Sequence, residues 1–156
     1  APATWTTTPL RPTCPDNPPA PSVNVESLHM DLAKPHLDVG LFTNQRDAQL
    51  DFWQHINKPL ILTEYGADAI AGFHAVIPEM FTEEFQVAYL KAMNECLDGR
   101  SFVAGEHPWN FADFDTQQGP MRAGGNHKGL FTRDRCPKMA AHYVRERWAK
   151  IENFSE

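Results

Sequence analysis

"LILTEYGADAIAG" occupies residues 60–72, and its reading decides the fold. Leu60 to Thr63 is a short aliphatic and β-branched run, set off by Lys58-Pro59 before it and Gly66 after it. Such a run, bounded by punctuation, predicts a buried strand. It ends in one acid, Glu64, and an aromatic and a glycine follow at once. A buried strand with a carboxylate at its tip raises the question of what that carboxylate does.

The neighbouring segments answer part of it. Thr43 is placed to cap a helix running to about Asn57, with Leu50, Trp53 and Ile56 on one face. Thr82 followed by Glu83 and Glu84 reads as an N-cap with first-turn acids. The helix it opens puts Phe85, Tyr89, Met93 and Cys96 along one side and stops at Gly99. Ser101 to Gly105 predicts a second strand, and Pro137 opens a last helix with Ala140, Tyr143, Val144, Trp148 and Ile151 inward. Helix, strand, helix, strand, helix implies parallel strands joined by crossover helices. Two strands cannot close an α/β core, because each side would leave a bare sheet edge. The fold is therefore incomplete, or part of the N-terminal segment or another chain supplies the missing strands.

Residues 1–35 differ in kind. Eight of the 13 prolines fall there, and "TTTPLRPTCPDNPPAPS" lacks the backbone donors of a helix or central strand. The segment reads as an extended, disordered Pro/Thr-rich tail with no assigned fold, and residues 36–156 as the globular part. A proline-rich ligand for a recognition domain is the functional alternative for the tail.

The chain of 156 residues is about one domain long, and 42% of it is apolar. A net charge of -6 and a pI near 5.6 argue against nucleic-acid or anionic-membrane partners. No run is long and apolar enough to suggest a membrane span. The chain begins at Ala1 and reads as a fragment or a processed product. Cys14, Cys96 and Cys136 are odd in number and widely spaced, so neither a disulfide framework nor a zinc site is expected. Asn153-Phe154-Ser155 fits a glycosylation sequon, a pattern that recurs by chance and fixes no compartment.

Active-site residues of (β/α) barrels project from the C-terminal ends of strands, where Glu64 lies. There a carboxylate serves as nucleophile, general base or metal ligand, or as a structural acid bonded to loop amides. The second strand runs into "GEHPWNFADF" (105–114), where Trp109, Phe111 and Phe114 alternate with polar groups. That alternation suits a sugar ring, with stacked C–H faces and paired hydroxyls, and also suits a packed core. In "RAGGNHKG" (122–129) glycines free the backbone, so that Asn126, Lys128 and Arg122 can approach a carboxylate or a phosphate. A solvated turn with surface charges is the plain alternative. His74, His107 and His127 lack metal-ligand spacing, and no metal or cofactor is expected.

Five blocks in order, "LTEYGADAIAGFH", "MFTEEFQ", "PWNFADF", "GGNHKGLFTRDR" and "PKMAAHYVRERW", resemble the β-glucuronidases of glycoside hydrolase family 2. The resemblance runs from about His36 to Ile151. It implies the final part of a (β/α)8 TIM barrel, about two β/α units and the preceding helix: His36 to Asn57 as helix six, Leu60 to Glu64 as strand seven, Ser101 to Asn110 as strand eight. It implies retaining hydrolysis of β-D-glucuronides with Glu64 as the nucleophile. Tyr65 and Trp109 would line the sugar site. Asn126 and Lys128 would grip the glucuronate carboxylate, and Arg122 matches an arginine of the same region. Implied partners are the glucuronide substrate and the remainder of the barrel or homo-oligomer partners. The family occurs in lysosomes and in bacterial cytoplasm, so the resemblance assigns no location.

The departures are as informative. Retaining glycosidases need a second carboxyl group, which the family places on a strand preceding everything here. Asn94-Glu95 falls inside a helix and is not its equivalent, and Glu106 lies too far up its strand to be given the role. The family's N-terminal sugar-binding-like and immunoglobulin-like domains are absent from these residues. His127 stands where the family usually has Lys. The sequence thus predicts a β-glucuronidase segment active only with the part of the barrel that holds the acid/base, the isolated chain being inactive. The alternative is a catalytically inactive truncated relative, kept as a remnant or binding module.

Overall fold

A computed structural model describes residues 22–24, 50–56, 58–119 and 122–151. Thr43 and most of its helix, Asn57, Cys14, the sequon and all of the tail but three residues lie outside the described residues.

Among the described residues, three parallel strands form one sheet in the order β1 (Ser22–Asn24), β2 (Leu60–Tyr65), β3 (Val103–Pro108). Two helices cross over it, α1 (Glu83–Asp98) and α2 (Met139–Trp148), and residues 50–54 are helical as well. β1 lies within the segment read as a tail, from which the sequence reading allowed a missing strand to come: Ser22 and Val23 stand beside Ile61 and Leu62. One apolar residue between Ser and Asn is too short a pattern to announce a strand. The partner strand, not local propensity, decides it.

β2 is central because it is the most apolar run. Leu60 and Leu62 are buried, and they pack with Phe85, Tyr89, Leu90, Met93 and Leu97 of α1 and Ala140, Ala141 and Val144 of α2. α1 begins as its sequence predicts. The Thr82 side chain accepts from the Phe85 N–H at 3.2 Å, and the chain leaves the helix at Gly99. In α2 Ala140 and Val144 are buried, while Tyr143 and Trp148 are half-buried, as is Ile151 beyond the helix end. Ile56, expected on the inner face of its helix, is exposed, because the helical residues end two positions earlier and the chain turns. Cys96 is buried and Cys136 exposed, both as thiols. No helix among the described residues is long and apolar enough to cross a membrane.

Among the described residues, β3 is at an edge of the sheet. Beside it a cleft of about 420 Å³ opens between β3 and α2, walled by Val103, Glu106, Tyr143 and Arg147 among others.

Candidate active site

β2 does not alternate to its end. Leu60 and Leu62 are buried, but a register irregularity follows between Leu62 and Tyr65. Glu64 is then half-buried and Tyr65 fully so. One residue's slip changes which face a side chain meets. Tyr65 therefore turns towards the helices, where its hydroxyl accepts from Asn94 Nδ2 at 2.9 Å. Asn94 Oδ1 in turn accepts from the Tyr143 hydroxyl, also at 2.9 Å. Burial, and then the nearby Glu106 carboxylate, push the Tyr65 phenol well above its ordinary pKa. The Tyr65 phenol, expected to line a sugar site, is bonded to Asn94 of α1, on the helix side of the sheet.

Glu106 belongs to the same buried layer. It receives Arg147 Nε at 2.9 Å and Asn94 Nδ2 at 2.9 Å, while Arg147 also forks onto Asp98 with two bonds of 2.7 Å. Burial disfavours the Arg147 charge, yet its bonds to Asp98 and Glu106 outweigh that and raise its pKa. Both Glu106 oxygens accept hydrogen bonds within the fold.

The ends of β2 and β3 are held together and continue into the two loops beyond. Trp109 N–H donates to the Tyr65 carbonyl at 2.7 Å. A Cβ on Gly66 would stand 2.1 Å from the Trp109 carbonyl oxygen, so only glycine permits this approach. The next peptide, Trp109–Asn110, is cis. Asn110 N–H donates to the Lys128 carbonyl at 3.1 Å, and Leu130 N–H returns to the Asn110 carbonyl at 2.9 Å. Ala69 N–H reaches the His127 carbonyl at 2.9 Å. Glu64, Trp109 and the Asn126–Lys128 stretch are thus carried on three backbone segments bonded side by side.

Asn126 and Lys128 are both buried, and Asn126 Oδ1 accepts from the Lys128 N–H at 3.0 Å. Arg122 reaches Asp68 at 3.3 Å, and the other Asp68 oxygen takes the His127 N–H at 3.0 Å. Burial raises the Asp68 pKa, against the pull of the His127 amide and the Arg122 charge. Trp109 packs edge-to-face on Phe114, ring centres 6.1 Å apart. His74 pairs with Glu84 at 2.9 Å, and His127 lies 3.6 Å from Asp113. Among the described residues, no group of three His, Cys, Asp or Glu side chains is placed to hold a metal.

Sequence reading passed over the residues behind these loops. Lys138, buried, donates to the Ala69 carbonyl (2.7 Å), Asp113 Oδ1 (2.8 Å) and the His127 carbonyl (2.9 Å). Gln86 Nε2 spans the carbonyls of Ala67, Lys128 and Gly129 at 3.0–3.2 Å. Glu83 accepts from Gly72 N–H at 2.7 Å and from Met139 N–H at 2.6 Å, so an acid in α1 caps α2. The signal was a polar residue on an otherwise apolar helix stripe, as at Gln86 and Asn94.

A parallel sheet crossed by helices, with an acid at a strand's C-terminal end and built loops beyond it, defines a segment of a (β/α)8 barrel with its functional face at those loops. The match to known proteins gives that segment its family. The chain belongs to the glycosyl hydrolases family 2, TIM barrel domain, whose family model matches residues 19–153, β1 included. It is 50% identical over 117 residues to a β-glucuronidase of Paenibacillus borealis, covering 74% of this chain and 20% of the relative. The human β-glucuronidase is 50% identical over 121 residues, covering 76% and 18%. Among solved structures, the β-D-glucuronidase of Dictyoglomus thermophilum superposes with a TM-score of 0.77 at 47% identity, covering 86% of this chain and 23% of that one. A Bifidobacterium dentium β-glucuronidase complexed with coumarin-3-O-glucuronide superposes with a TM-score of 0.73 at 51% identity, covering 76% and 19%. The chain spans about a fifth of the length of the relatives it matches.

Proposed function

We propose that these residues carry the nucleophile and the carboxylate-recognition half of a β-glucuronidase active site, the acid/base being supplied by a part of the barrel outside them. The observation that carries the reading is the hydrogen-bonded continuity from Glu64 through Trp109–Asn110 to Lys128. It is supported by identity of about 50% to β-glucuronidases across that same region.

In this reading the Glu64 carboxylate attacks the anomeric carbon. A carboxylic acid outside these residues gives its proton to the departing oxygen as the glycosidic bond breaks. Water, deprotonated by that same group, then displaces Glu64 and releases glucuronate with its configuration retained. The Oδ1 of Asn126 is spent on the Lys128 amide, which orients the amide nitrogen as a donor for an anion. Lys128 adds a charge in a desolvated place. A charge-assisted contact of about 1.5–3 kcal/mol favours the glucuronide over a neutral hexoside by roughly tenfold to hundredfold. Trp109 offers a flat face to the ring. The occupied carboxylate of Glu106 supports placing the second carboxyl group elsewhere.

The test grafts residues 36–156 in place of the matching C-terminal part of the Paenibacillus borealis relative and treats the product with a fluorinated glucuronyl fluoride. The label is expected on Glu64, with Glu64→Gln abolishing both labelling and hydrolysis of a nitrophenyl glucuronide. A label on another carboxylate overturns the assignment. The 156-residue chain alone is expected not to turn over. Turnover by it, abolished by Glu64→Gln, would mean that the acid/base is local.

A further inference from the structure

Two helices reach the backs of the same two loops with one polar side chain each. Gln86 of α1 bonds the carbonyls of Ala67, Lys128 and Gly129. Lys138, at the cap of α2, bonds those of Ala69 and His127. The acceptors interleave: 67 and 69 on the loop after β2, 127, 128 and 129 on the recognition loop. The third Lys138 bond goes to Asp113 Oδ1, on the loop after β3, and that same oxygen receives the Gly129 N–H at 2.9 Å. Every proton of a buried ammonium therefore has an acceptor, one of them anionic. Lysine is rarely buried at all, and a core role alone would be served by an apolar side chain at lower desolvation cost.

From this we infer that Gln86 and Lys138 are positioning residues that set selectivity for a uronate over a neutral sugar. They act through the backbone of 127–129, which fixes where Asn126 and Lys128 stand relative to the loop leaving Glu64. The inference rests on the reading of Asn126 and Lys128 given above. Among the described residues one backbone bond, from the Ala69 N–H to the His127 carbonyl, ties the loop after β2 to the recognition loop, and no regular ladder continues from it. The side chains supply the missing ties. Remote displacement of a binding group by about 1 Å costs on the order of hundredfold in rate. The staple thus governs recognition without touching substrate.

Two measurements test it. In the 156-residue chain, Lys138→Met and Gln86→Leu are compared with the unaltered sequence by amide hydrogen exchange. Exchange at Ala69, His127, Lys128 and Gly129 is expected to quicken at least tenfold, with the interiors of α1 and the β2–β3 ladder unchanged. A uniform rise everywhere, or none at these amides, overturns the staple. If Lys138→Met does not fold, Gln86→Leu reads the same loops from the other helix.

In the grafted barrel, either variant should raise KM for the nitrophenyl glucuronide about tenfold with kcat within about threefold. The kcat/KM ratio of glucuronide to glucoside should fall by about tenfold. An unchanged ratio overturns the selectivity role even if stability falls. A graft with no glucuronide hydrolysis before any substitution defeats the glucuronidase reading instead, and the exchange pattern still decides whether the staple exists.

Discussion

Replacing Glu106 by Gln separates a structural acid from a chemical one. Glu106 Oε1 receives Arg147 Nε at 2.9 Å and Trp148 Nε1 at 3.5 Å, and Oε2 receives Asn94 Nδ2 at 2.9 Å and Arg147 Nη2 at 3.4 Å. A glutamine keeps one acceptor and turns an NH₂ towards a donor, whichever way it lies. Removing one partner of a buried ion pair costs about 3–5 kcal/mol. Arg147 keeps its fork on Asp98, but Asp98 is exposed and its share is screened by water. The loss expected is about 2–4 kcal/mol, a fall of roughly 5–15 °C in Tm for a chain of this size. Circular dichroism melts and urea midpoints on the 156-residue chain measure it. In the grafted barrel, well below Tm, kcat should stay within about tenfold, since loss of a general acid costs about a hundredfold or more. An unchanged Tm with hydrolysis cut a hundredfold would refute the reasoning and make Glu106 the missing acid/base.

Other substitutions probe the frame. Gly66→Ala drives a methyl to 2.1 Å from the Trp109 carbonyl, and Gly129→Ala drives one to 2.2 Å from the Asp113 nitrogen, so each should lower the urea midpoint by about 1–3 kcal/mol of stability. Glu83→Leu removes the acceptor of Gly72 and Met139 N–H and should cost about 1–2 kcal/mol by the same measurement, with α2 fraying first in amide exchange. The Tyr65 pKa is raised by folding, so its contribution is full below about pH 10 and lost as pH rises through the folded value. Phenolate absorbance should show Tyr65 ionising only as the chain unfolds in alkali, a step absent in Tyr65→Phe. Asp68 is likewise raised, so its contribution is full below about pH 4 and lost as pH rises through its folded value, a decline that Asp68→Asn should remove from the pH dependence of the urea midpoint.

α1 was legible because every signal in it is local: Thr82, the first-turn acids, the apolar stripe and Gly99 lie within one stretch. The strand run at residues 60–63 was legible for the same reason. Tyr65 was not. Its neighbour Glu64 ends the strand's outward pattern, and only the register irregularity against β3 shows that the two side chains part company. β1 was hidden because a three-residue strand takes its identity from Leu62 and its neighbours. Lys138 and Gln86 were hidden by distance along the chain, since their acceptors lie 11 to 69 residues away and, Asp113 apart, are backbone carbonyls, which carry no side-chain signature. Of the candidate site, Glu64, Trp109, Asn126 and Lys128 could be picked out by position and residue type, but not the polar layer that holds them.

That layer follows from what a strand-end site demands. Past its last ladder bond, a barrel strand leaves carbonyls that no neighbouring strand can serve, and burying them unpaired costs about 1–3 kcal/mol each. Water could satisfy them, but a watered loop is a soft one. Side chains from the flanking helices satisfy them without softness, and this places Gln86 and Lys138 at the N-terminal ends of α1 and α2, the ends nearest the loops, with Glu83 there to accept the N–H groups of Gly72 and Met139. Lys138 is the costliest choice of the three, and its charge is balanced by Asp113 at 2.8 Å. The same requirement explains why Gly66 and Gly129, neither of which has room for a Cβ, flank the segments that carry Glu64 and Lys128: where side chains must pass close behind a loop, the loop itself gives up a Cβ.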